Sequence, residues 1–322
     1  PSNVVITSNA THGLNIAIKA LAESRRRAGR VTALVSGYEH NSVMRPLRAA
    51  GAEIVIARSE LFEPESAVFA VETALERGDI SFAVFNHMSN VFGYILPVER
   101  MAERCRSLGV PFVLDASQSA GSISIDMQTL GAEYIAMPGH KGLYGPQGTG
   151  LLLCGGAPEC VNGIIQGGSG SDSASDRMPD FLPDALEAGT HNMPGIAGLC
   201  EGLKFVLSRG ERALLWHSRE LTTLAARELA VIPGVRVYNG ADFFRGGVLS
   251  LRFENLDCET AAEQLSHRGF AVRAGLHCAP EAHRTAGTFD TGTVRISVSA
   301  YSTRSELRAF ARAAAEIASG AE

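Results

Sequence analysis

Apolar residues along this chain follow two alternating periodicities, and the alternation predicts its architecture. Short continuous apolar runs are typical of buried strands. Between them, apolar residues recur at the spacing of amphipathic helices, as in Leu14, Ile18 and Leu21. The first half therefore predicts an α/β fold, a mostly parallel sheet covered by helices. Strands are predicted at residues 4–7, 31–35, 53–57, 80–85, 110–114, 134–137 and 151–153, and further helices at 41–50, 64–77 and 98–108.

The second half of the chain predicts a smaller α/β unit. A long helical pattern runs from about residue 194 to about residue 230, and we place a domain boundary within it near Gly210. The chain is thereby divided into a large domain, 1–209, and a small C-terminal domain, 210–322. The predicted strands of the small domain are residues 235–238, 247–253, 270–273 and 293–298, and its predicted helices are 258–268 and a last one from Thr303.

Charge and hydropathy argue against a nucleic-acid partner and against a membrane segment. The 322 residues carry a formal net charge of −5 and no basic stripe, so we expect no nucleic-acid partner. Residues 25–27 are three arginines, which we interpret as a solvated helix end. No window of about 18 apolar residues occurs, so we expect no membrane segment.

The cysteines indicate a reducing compartment. They lie at positions 105, 154, 160, 200, 258 and 278, without a CxxC pair or the spacing of a zinc site. We therefore expect no metal, and a cytoplasmic protein with reduced thiols is the simplest interpretation.

Polar clusters follow several of the predicted strands. They lie at Thr11, at residues 86–90, at 115–118 and at 140–141. Ligands of parallel α/β sheets bind at the carboxyl ends of the strands, so we expect these clusters to form one site. The turn before the first helix suits an anion, although its Ser, Thr and Asn residues also serve as ordinary helix caps.

Lys141 lies in a glycine-rich turn between two predicted strands, within residues 136–150. A lysine held in this way is suited to a Schiff base with a carbonyl cofactor. Asp115 ends a buried strand upstream, where a carboxylate can pair with a pyridinium nitrogen. Together the two residues predict a pyridoxal 5'-phosphate (PLP) site.

Six short motifs accompany this pair in a definite order. They are residues 87–93, Asp115 with Gln118, 139–141, 187–190, 273–279 and 294–297. Taken together they resemble the class V aminotransferase family of fold-type I PLP-dependent transferases, over essentially the whole chain. Within that family the sequence is similar to the cysteine desulfurases and selenocysteine lyases.

The resemblance implies how the PLP ring is held. Lys141 is expected to bind the cofactor covalently, and Asp115 to keep the pyridinium nitrogen protonated so that the ring accepts electrons. His87 is expected to stack on the ring and to move protons. Asn90 and Gln118 are expected to bond the phenolic oxygen.

The resemblance also implies a phosphate site shared between two subunits. Thr11, the neighbouring Ala10 amide and His140 are expected to hold the phosphate. Thr190 is expected to reach the phosphate of a neighbouring subunit, which predicts a homodimer with composite sites.

Substrate residues are implied in the small domain. Arg295 is expected to clamp the substrate carboxylate beside Asn90, a task suited to a guanidinium fork. Arg273 is expected to support the substrate or the cysteine loop, and Cys278 to be the nucleophile. His277 either activates this thiol or shapes its loop.

The implied reaction is a PLP-dependent cysteine desulfuration. L-cysteine becomes L-alanine, and its sulfur forms a persulfide on Cys278 that passes to an acceptor. Only 17 positions separate Cys278 from Arg295, which resembles desulfurases that deliver sulfur to a dedicated acceptor protein. Iron–sulfur cluster assembly is the expected use of that sulfur.

Several alternatives remain open at this stage. The site residues also suit a selenocysteine lyase, a C–S lyase or a class V aminotransferase, and a truncated, non-catalytic PLP-binding homologue is a further possibility. A nicotinamide-dependent Rossmann enzyme is disfavoured, because no GxGxxG motif follows the first strand.

Three departures from the family pattern accompany the resemblance. Pro138 replaces a phosphate-binding serine, and His12 stands where an acidic residue is common. The chain also enters its first strand directly after Pro1, Ser2 and Asn3, so we expect an N-terminal segment to be missing. Residues 167–176, rich in Gly and Ser, predict a mobile linker or, alternatively, an active-site lid or subunit contact.

Overall fold

Two β-sheets organise the protein. The structure, a computed structural model, describes residues 3–27, 29–155 and 164–320. Cys160, one of the six cysteines considered above, lies outside these ranges. The other five cysteines are free thiols.

The large sheet has seven strands in the order β3-β2-β4-β5-β6-β7-β1. All of them run parallel except β7, which is antiparallel to both of its neighbours. This confirms the predicted, mostly parallel sheet. The strands are β1 (Val4–Thr7), β2 (Thr32–Ser36), β3 (Glu53–Ala57), β4 (Phe82–Asn86), β5 (Phe112–Asp115), β6 (Tyr134–Pro138) and β7 (Gly150–Cys154).

Helices cover both faces of this sheet, as the apolar strands require. One face packs against α1 and α2, and the other against α3 and α4. The described helices that precede Gly210 are α1 (Ala10–Arg26), α2 (Asn41–Ala49), α3 (Pro64–Leu75), α4 (Val98–Ser107), α5 (Met127–Leu130) and α6 (Met193–Arg209).

The small sheet is antiparallel, with the order β10-β11-β9-β8. Three helices, α7, α8 and α10, pack on it and form a separate apolar core. Its elements are α7 (Glu211–Ala230), β8 (Val235–Tyr238), β9 (Val248–Phe253), α8 (Cys258–His267), β10 (Arg273–Gly275), α9 (Pro280–Thr285), β11 (Thr293–Ser297) and α10 (Arg304–Ser319), with a 3-10 turn at Asp242–Phe244.

Among the differences from the sequence predictions, two concern the start of β10 and the junction of α6 and α7. The strand predicted at residues 270–273 is wrong for its first three residues, because Phe270 packs edge-on against Phe310 of α10 at 5.5 Å between ring centroids and the ladder begins at Arg273. The continuous helical pattern near residue 210 is interrupted, since Gly210 has a φ of 81° between α6 and α7. The division into domains at this position stays a prediction.

No helix among the described residues is long and apolar enough to cross a membrane. Over the same residues, no three His, Cys, Asp or Glu side chains gather in a way that could hold a metal ion.

Candidate active site

A cavity of about 190 Å³ lies where β4, β5 and β6 end and α1 begins. We call it the Lys141 cavity. The predicted residues that line it are Ala10, Thr11, Asn90, Asp115, Gln118, His140 and Lys141. The strand-end clusters therefore do meet at one edge of the sheet, as ligand sites of α/β folds do.

The turn that carries Lys141 is tight because its backbone contacts its neighbours closely. A Cβ atom on Gly142 would lie 2.2 Å from the Ala120 carbonyl oxygen, and one on Gly139 would lie 2.1 Å from Thr149 Oγ1. Gly145 N also donates to Gly139 O at 2.8 Å. Glycine is therefore required here to place Lys141 against the strand ends.

The amine of Lys141 lies in a mixed electrostatic environment. Its side chain reaches solvent through the cavity but is surrounded by protein atoms, and this burial lowers its pKa. Asp115 opposes this effect on the pKa, whereas Arg295 and Arg273 add to it. A lysine with a lowered pKa holds more of the neutral amine, the form that attacks carbonyls and accepts protons.

Asp115 is buried at the end of β5 and is 3% exposed. Its Oδ1 accepts a hydrogen bond from Ser117 N at 2.9 Å, which orients the carboxylate within the cavity lining.

The N-terminus of α1 forms another wall of the cavity. Asn9 caps this helix by accepting a hydrogen bond from His12 N at 2.9 Å. Ala10 and Thr11 occupy the first turn and line the cavity. Free N–H groups of a first turn, together with the helix dipole, favour an anion.

Asn90 connects the large sheet to the small sheet. Its Nδ2 donates to His277 O at 2.8 Å, and its own carbonyl oxygen accepts from Arg295 Nη1 at 2.9 Å. Oδ1 of Asn90 and Nδ1 of His87 are buried without a hydrogen-bond partner among the described residues. Buried polar atoms ordinarily have a hydrogen-bond partner, which a bound ligand or an ordered water supplies.

Two arginines of the small sheet lie side by side. Arg273 on β10 and Arg295 on β11 are register partners in an antiparallel pair, so their side chains share one face. Arg295 and Lys141 line a second cavity of about 540 Å³, which also shares Met88, Gln118 and His140 with the Lys141 cavity.

Cys278 lies in an adjoining groove rather than in the Lys141 cavity. The groove, of about 390 Å³, shares Thr11, His40 and Ser42 with the cavity. Cys278 is exposed, and Arg273 Nη2 donates to its Sγ at 3.6 Å. Asn41 N, at the start of α2, donates to the Cys278 carbonyl at 2.8 Å.

Two of the residues predicted to bind the cofactor, Thr190 and His87, do not line the Lys141 cavity of their own chain. Thr190 is exposed, and its predicted role concerns another subunit. His87 is 3% exposed on the strand-end loop, and burial lowers its pKa to about 4.

Sequence reasoning missed the polar cluster that follows β2. His40 lines both the cavity and the groove, and burial lowers its pKa. Glu39 beside it is fully buried under the site. The signal was available, because Glu39 and His40 follow an apolar strand just as Asn86 and Asp115 end theirs.

The residues present fit PLP. The cavity offers a lysine with a lowered pKa, a buried carboxylate and a helix N-terminus, which are the groups needed for the aldehyde, the ring nitrogen and the phosphate. The unpartnered Asn90 Oδ1 lines the same space. Pro138 also lines it and offers no N–H donor.

Comparisons with known proteins identify the family. The family described as aminotransferase class-V matches residues 1–310. The chain belongs to this family. This confirms the family and the fold predicted from the sequence.

Several similar proteins are named cysteine desulfurases. A probable cysteine desulfurase of Methanothermobacter thermautotrophicus is 30% identical over 98% of this chain and 79% of its own length. The cysteine desulfurase of Thermococcus onnurineus superposes with a TM-score of 0.86 at 25% identity, covering 99% of this chain and 80% of that one. The cysteine desulfurase CsdA of Escherichia coli superposes with a TM-score of 0.85 at 27% identity, covering 97% and 78%.

Proposed function

We propose that this protein is a PLP-dependent cysteine desulfurase. The observation that carries the proposal is the convergence of Lys141, the Arg273–Arg295 pair and an exposed Cys278 around adjoining cavities. It converts L-cysteine to L-alanine and retains the sulfur as a persulfide on Cys278.

The cofactor would be held by the large domain. Lys141 would bind it covalently, Asp115 would face its ring nitrogen, His87 would stack on its ring, and Asn90 and Gln118 would bond its phenolic oxygen. The phosphate would be held by Ala10, Thr11 and His140, with Thr190 from a neighbouring subunit. When bound, PLP withdraws electrons from the substrate Cα.

The arginine pair positions the amino acid. Like charges on a cross-strand pair repel each other, and burial also lowers the pKa of Arg295. A substrate carboxylate relieves both effects, because it supplies the missing negative charge and a bidentate acceptor. The amino acid would then lie between Arg295 and Lys141, both of which line the second cavity.

The chain's own residues then move one proton and one sulfur. Lys141, with its lowered pKa, accepts the Cα proton. Cys278 attacks the substrate sulfur as a thiolate, and the new S–S bond forms as the Cβ–S bond breaks. The carbon fragment leaves as alanine after protonation, so cysteine plus thiol gives alanine plus persulfide.

The sulfur acceptor, subunit arrangement and compartment belong to the same proposal. An exposed Cys278 on a short loop supports transfer to a dedicated acceptor protein, with iron–sulfur cluster assembly as the use. We also propose a homodimer, in which Thr190 serves the neighbouring site, and a cytoplasmic location.

The decisive test combines cofactor absorption with product analysis. We expect the purified protein to take up PLP with a visible absorption band that Lys141→Ala abolishes. With L-cysteine and a reductant we expect alanine and sulfide, and Cys278→Ala should lower their formation at least about a hundredfold. Cys200→Ala, at an exposed cysteine on α6, is the matched control and should leave the rate unchanged.

Each contrary outcome has a defined meaning. A protein that cannot take up PLP contradicts the cofactor assignment. A PLP-loaded protein that releases alanine equally well in the Cys278→Ala variant is not a persulfide-forming desulfurase, and activity confined to selenocysteine would make it a lyase.

A further inference from the structure

The turn that presents Cys278 has an unusual backbone conformation. His277 has a φ of 52° and Cys278 a φ of 57°, so two consecutive non-glycine residues adopt the left-handed region. Each such residue costs free energy and persists only where its surroundings hold it. The surroundings of this turn are therefore expected to contain the groups that hold it.

A row of buried side chains lies directly behind the turn. His277 Nε2 lies 3.2 Å from the Arg273 carbonyl oxygen, and His277 Nδ1 lies 3.4 Å from His283 Nε2. His283 Nδ1 in turn lies 2.7 Å from Thr288 Oγ1. The two rings are nearly parallel, with an interplanar angle of 10°. His277, His283 and Thr288 are 3%, 0% and 1% exposed.

Hydrogen-bond chemistry indicates which atom donates and which accepts in each pair along this row. The Arg273 carbonyl can only accept, so His277 must carry its proton on Nε2. A neutral His277 then accepts at Nδ1, which requires His283 to donate from Nε2 and to accept at Nδ1. In this direction the donor to His283 Nδ1 is the Thr288 hydroxyl. Burial lowers the pKa of His277 to about 3 and that of His283 to about 4, so both rings are neutral near pH 7.

This arrangement decides between the two roles that the sequence left open for His277, which are activating the Cys278 thiol and shaping its loop. Both of its ring nitrogens are engaged, one by Arg273 O and one by His283, so neither is free to exchange a proton with Cys278. The row ends on Arg273, whose guanidinium contacts Cys278 Sγ, and the His277 carbonyl accepts from Asn90. The imidazole therefore shapes the loop.

We propose that His283 and Thr288 are positioning residues, which act through His277 to hold Cys278 Sγ against Arg273. Their role in sulfur transfer rests on the proposed desulfurase function, whereas their role in holding the turn does not. The Thr288 hydroxyl is the donor that sets the direction of the row. Without it, His283 can adopt the other tautomer and place two lone pairs between the rings.

Selective alkylation of Cys278 tests the proposal without cofactor chemistry. The rate constant for reaction with iodoacetamide is measured at Cys278 by peptide mass spectrometry, with the exposed Cys200 as the internal standard. In Thr288→Val we expect the Cys278 rate to fall about fivefold to tenfold relative to Cys200, the change expected for loss of one buried hydrogen bond. The reason is that Cys278 Sγ would leave its contact with the positively charged Arg273 guanidinium.

Matched variants at position 288 distinguish the loss of the hydroxyl donor from a change in side-chain packing. Thr288→Ser keeps the hydroxyl and should retain the wild-type rate, whereas Thr288→Ala removes the hydroxyl without the bulk of valine and should behave as valine does. Wild-type rates in the valine and alanine variants, or a serine variant as slow as the valine variant, would overturn the proposal.

Steady-state kinetics then tests the link to sulfur transfer. In Thr288→Val we expect kcat for alanine formation from L-cysteine to fall about fivefold to tenfold with little change in KM, because the arginine pair that binds the carboxylate is intact. If the alkylation rate changes but kcat does not, the row holds the turn and has no role in sulfur transfer. No activity in the wild-type protein would contradict the proposed function and leave the alkylation result standing.

Discussion

At the scale of single residues, Glu39 is the most unusual group beneath the site. It is fully buried, and its Oε1 accepts from Ser36 Oγ at 2.6 Å and from Asn86 N at 2.9 Å. Its Oε2 has no partner among the described residues. Burial raises its pKa from 4.5 to about 8, and the charge of Asp115 adds to this effect. This raised pKa predicts that Glu39 is mostly protonated at pH 7.

This protonation predicts a specific dependence of stability on pH. Because the folded-state pKa is raised, the contribution of Glu39 to stability is fully present below the unfolded pKa near 4.5 and is lost as the pH rises through about 8. Glutamine cannot ionise, so Glu39→Gln should reduce the loss of unfolding free energy between pH 5 and pH 8.5 by about 2 kcal/mol or more. Urea unfolding at the two pH values measures this change.

The control for this prediction is an exposed glutamate. Glu99 lies in the first turn of α4 at the surface, so Glu99→Gln should leave the pH dependence of unfolding unchanged. A Glu39→Gln variant that follows the wild-type pH profile would show that Glu39 is not protonated in the folded protein.

At the scale of elements, the boundary best specified by local sequence is the start of α10. Thr303 Oγ1 accepts from Glu306 N at 3.3 Å, and Glu306 Oε2 accepts from Thr303 N at 2.7 Å, which is a capping box. The helix packs Leu307 and Phe310 into the core of the small sheet. The cap therefore supports the sheet that carries Arg273 and Arg295.

Removing this cap should lower stability without changing the site. Thr303→Ala should reduce the free energy of unfolding by about 1 kcal/mol, as measured by urea denaturation. Thr303→Ser retains the capping oxygen and should remain close to wild type. Equal stability of the alanine variant and the wild type would mean that the capping box does not contribute to the fold.

Elements that the sequence placed less well depend on distant contacts. Helices α5 and α9 were not predicted, because four and six residues are too few to show a helical period. The late start of β10 follows from pairing with β11 rather than from its own residues. Local sequence therefore specifies the boundary of an element that has a capping side chain. Pairing with a distant strand specifies the boundary of an element such as β10.

At the scale of the whole molecule, the proposed homodimer makes a prediction about Thr190. Co-expressed subunits with different affinity tags allow two heterodimers to be purified. If Thr190 serves the neighbouring site, pairing a Lys141→Ala subunit with a Thr190→Asp subunit leaves one intact site and about half of the wild-type activity. The aspartate is chosen because its charge opposes a phosphate.

The second heterodimer is the control for this experiment. It pairs a wild-type subunit with one that carries both Lys141→Ala and Thr190→Asp, which leaves no intact site. If Thr190 instead served its own subunit, the activities of the two heterodimers would be reversed. A monomer in sedimentation equilibrium would contradict the shared site directly.

The sequence by itself determined what depends on local pattern. The order of strands and helices, the glycine-rich turn of Lys141 and the strand-end position of Asp115 all follow from neighbouring residues, since periodicity and turn chemistry are properties of short segments. The six motifs identified the family, which the comparison with known proteins confirmed.

Only the tertiary structure decided which side chains meet. The register of β10 against β11 brings Arg273 beside Arg295. Glu39 is buried because other parts of the folded chain cover this edge of the large sheet. The contact of His277 with His283 depends on the path of the cysteine loop. These features arise from pairing between distant segments, and no periodicity within one segment encodes them.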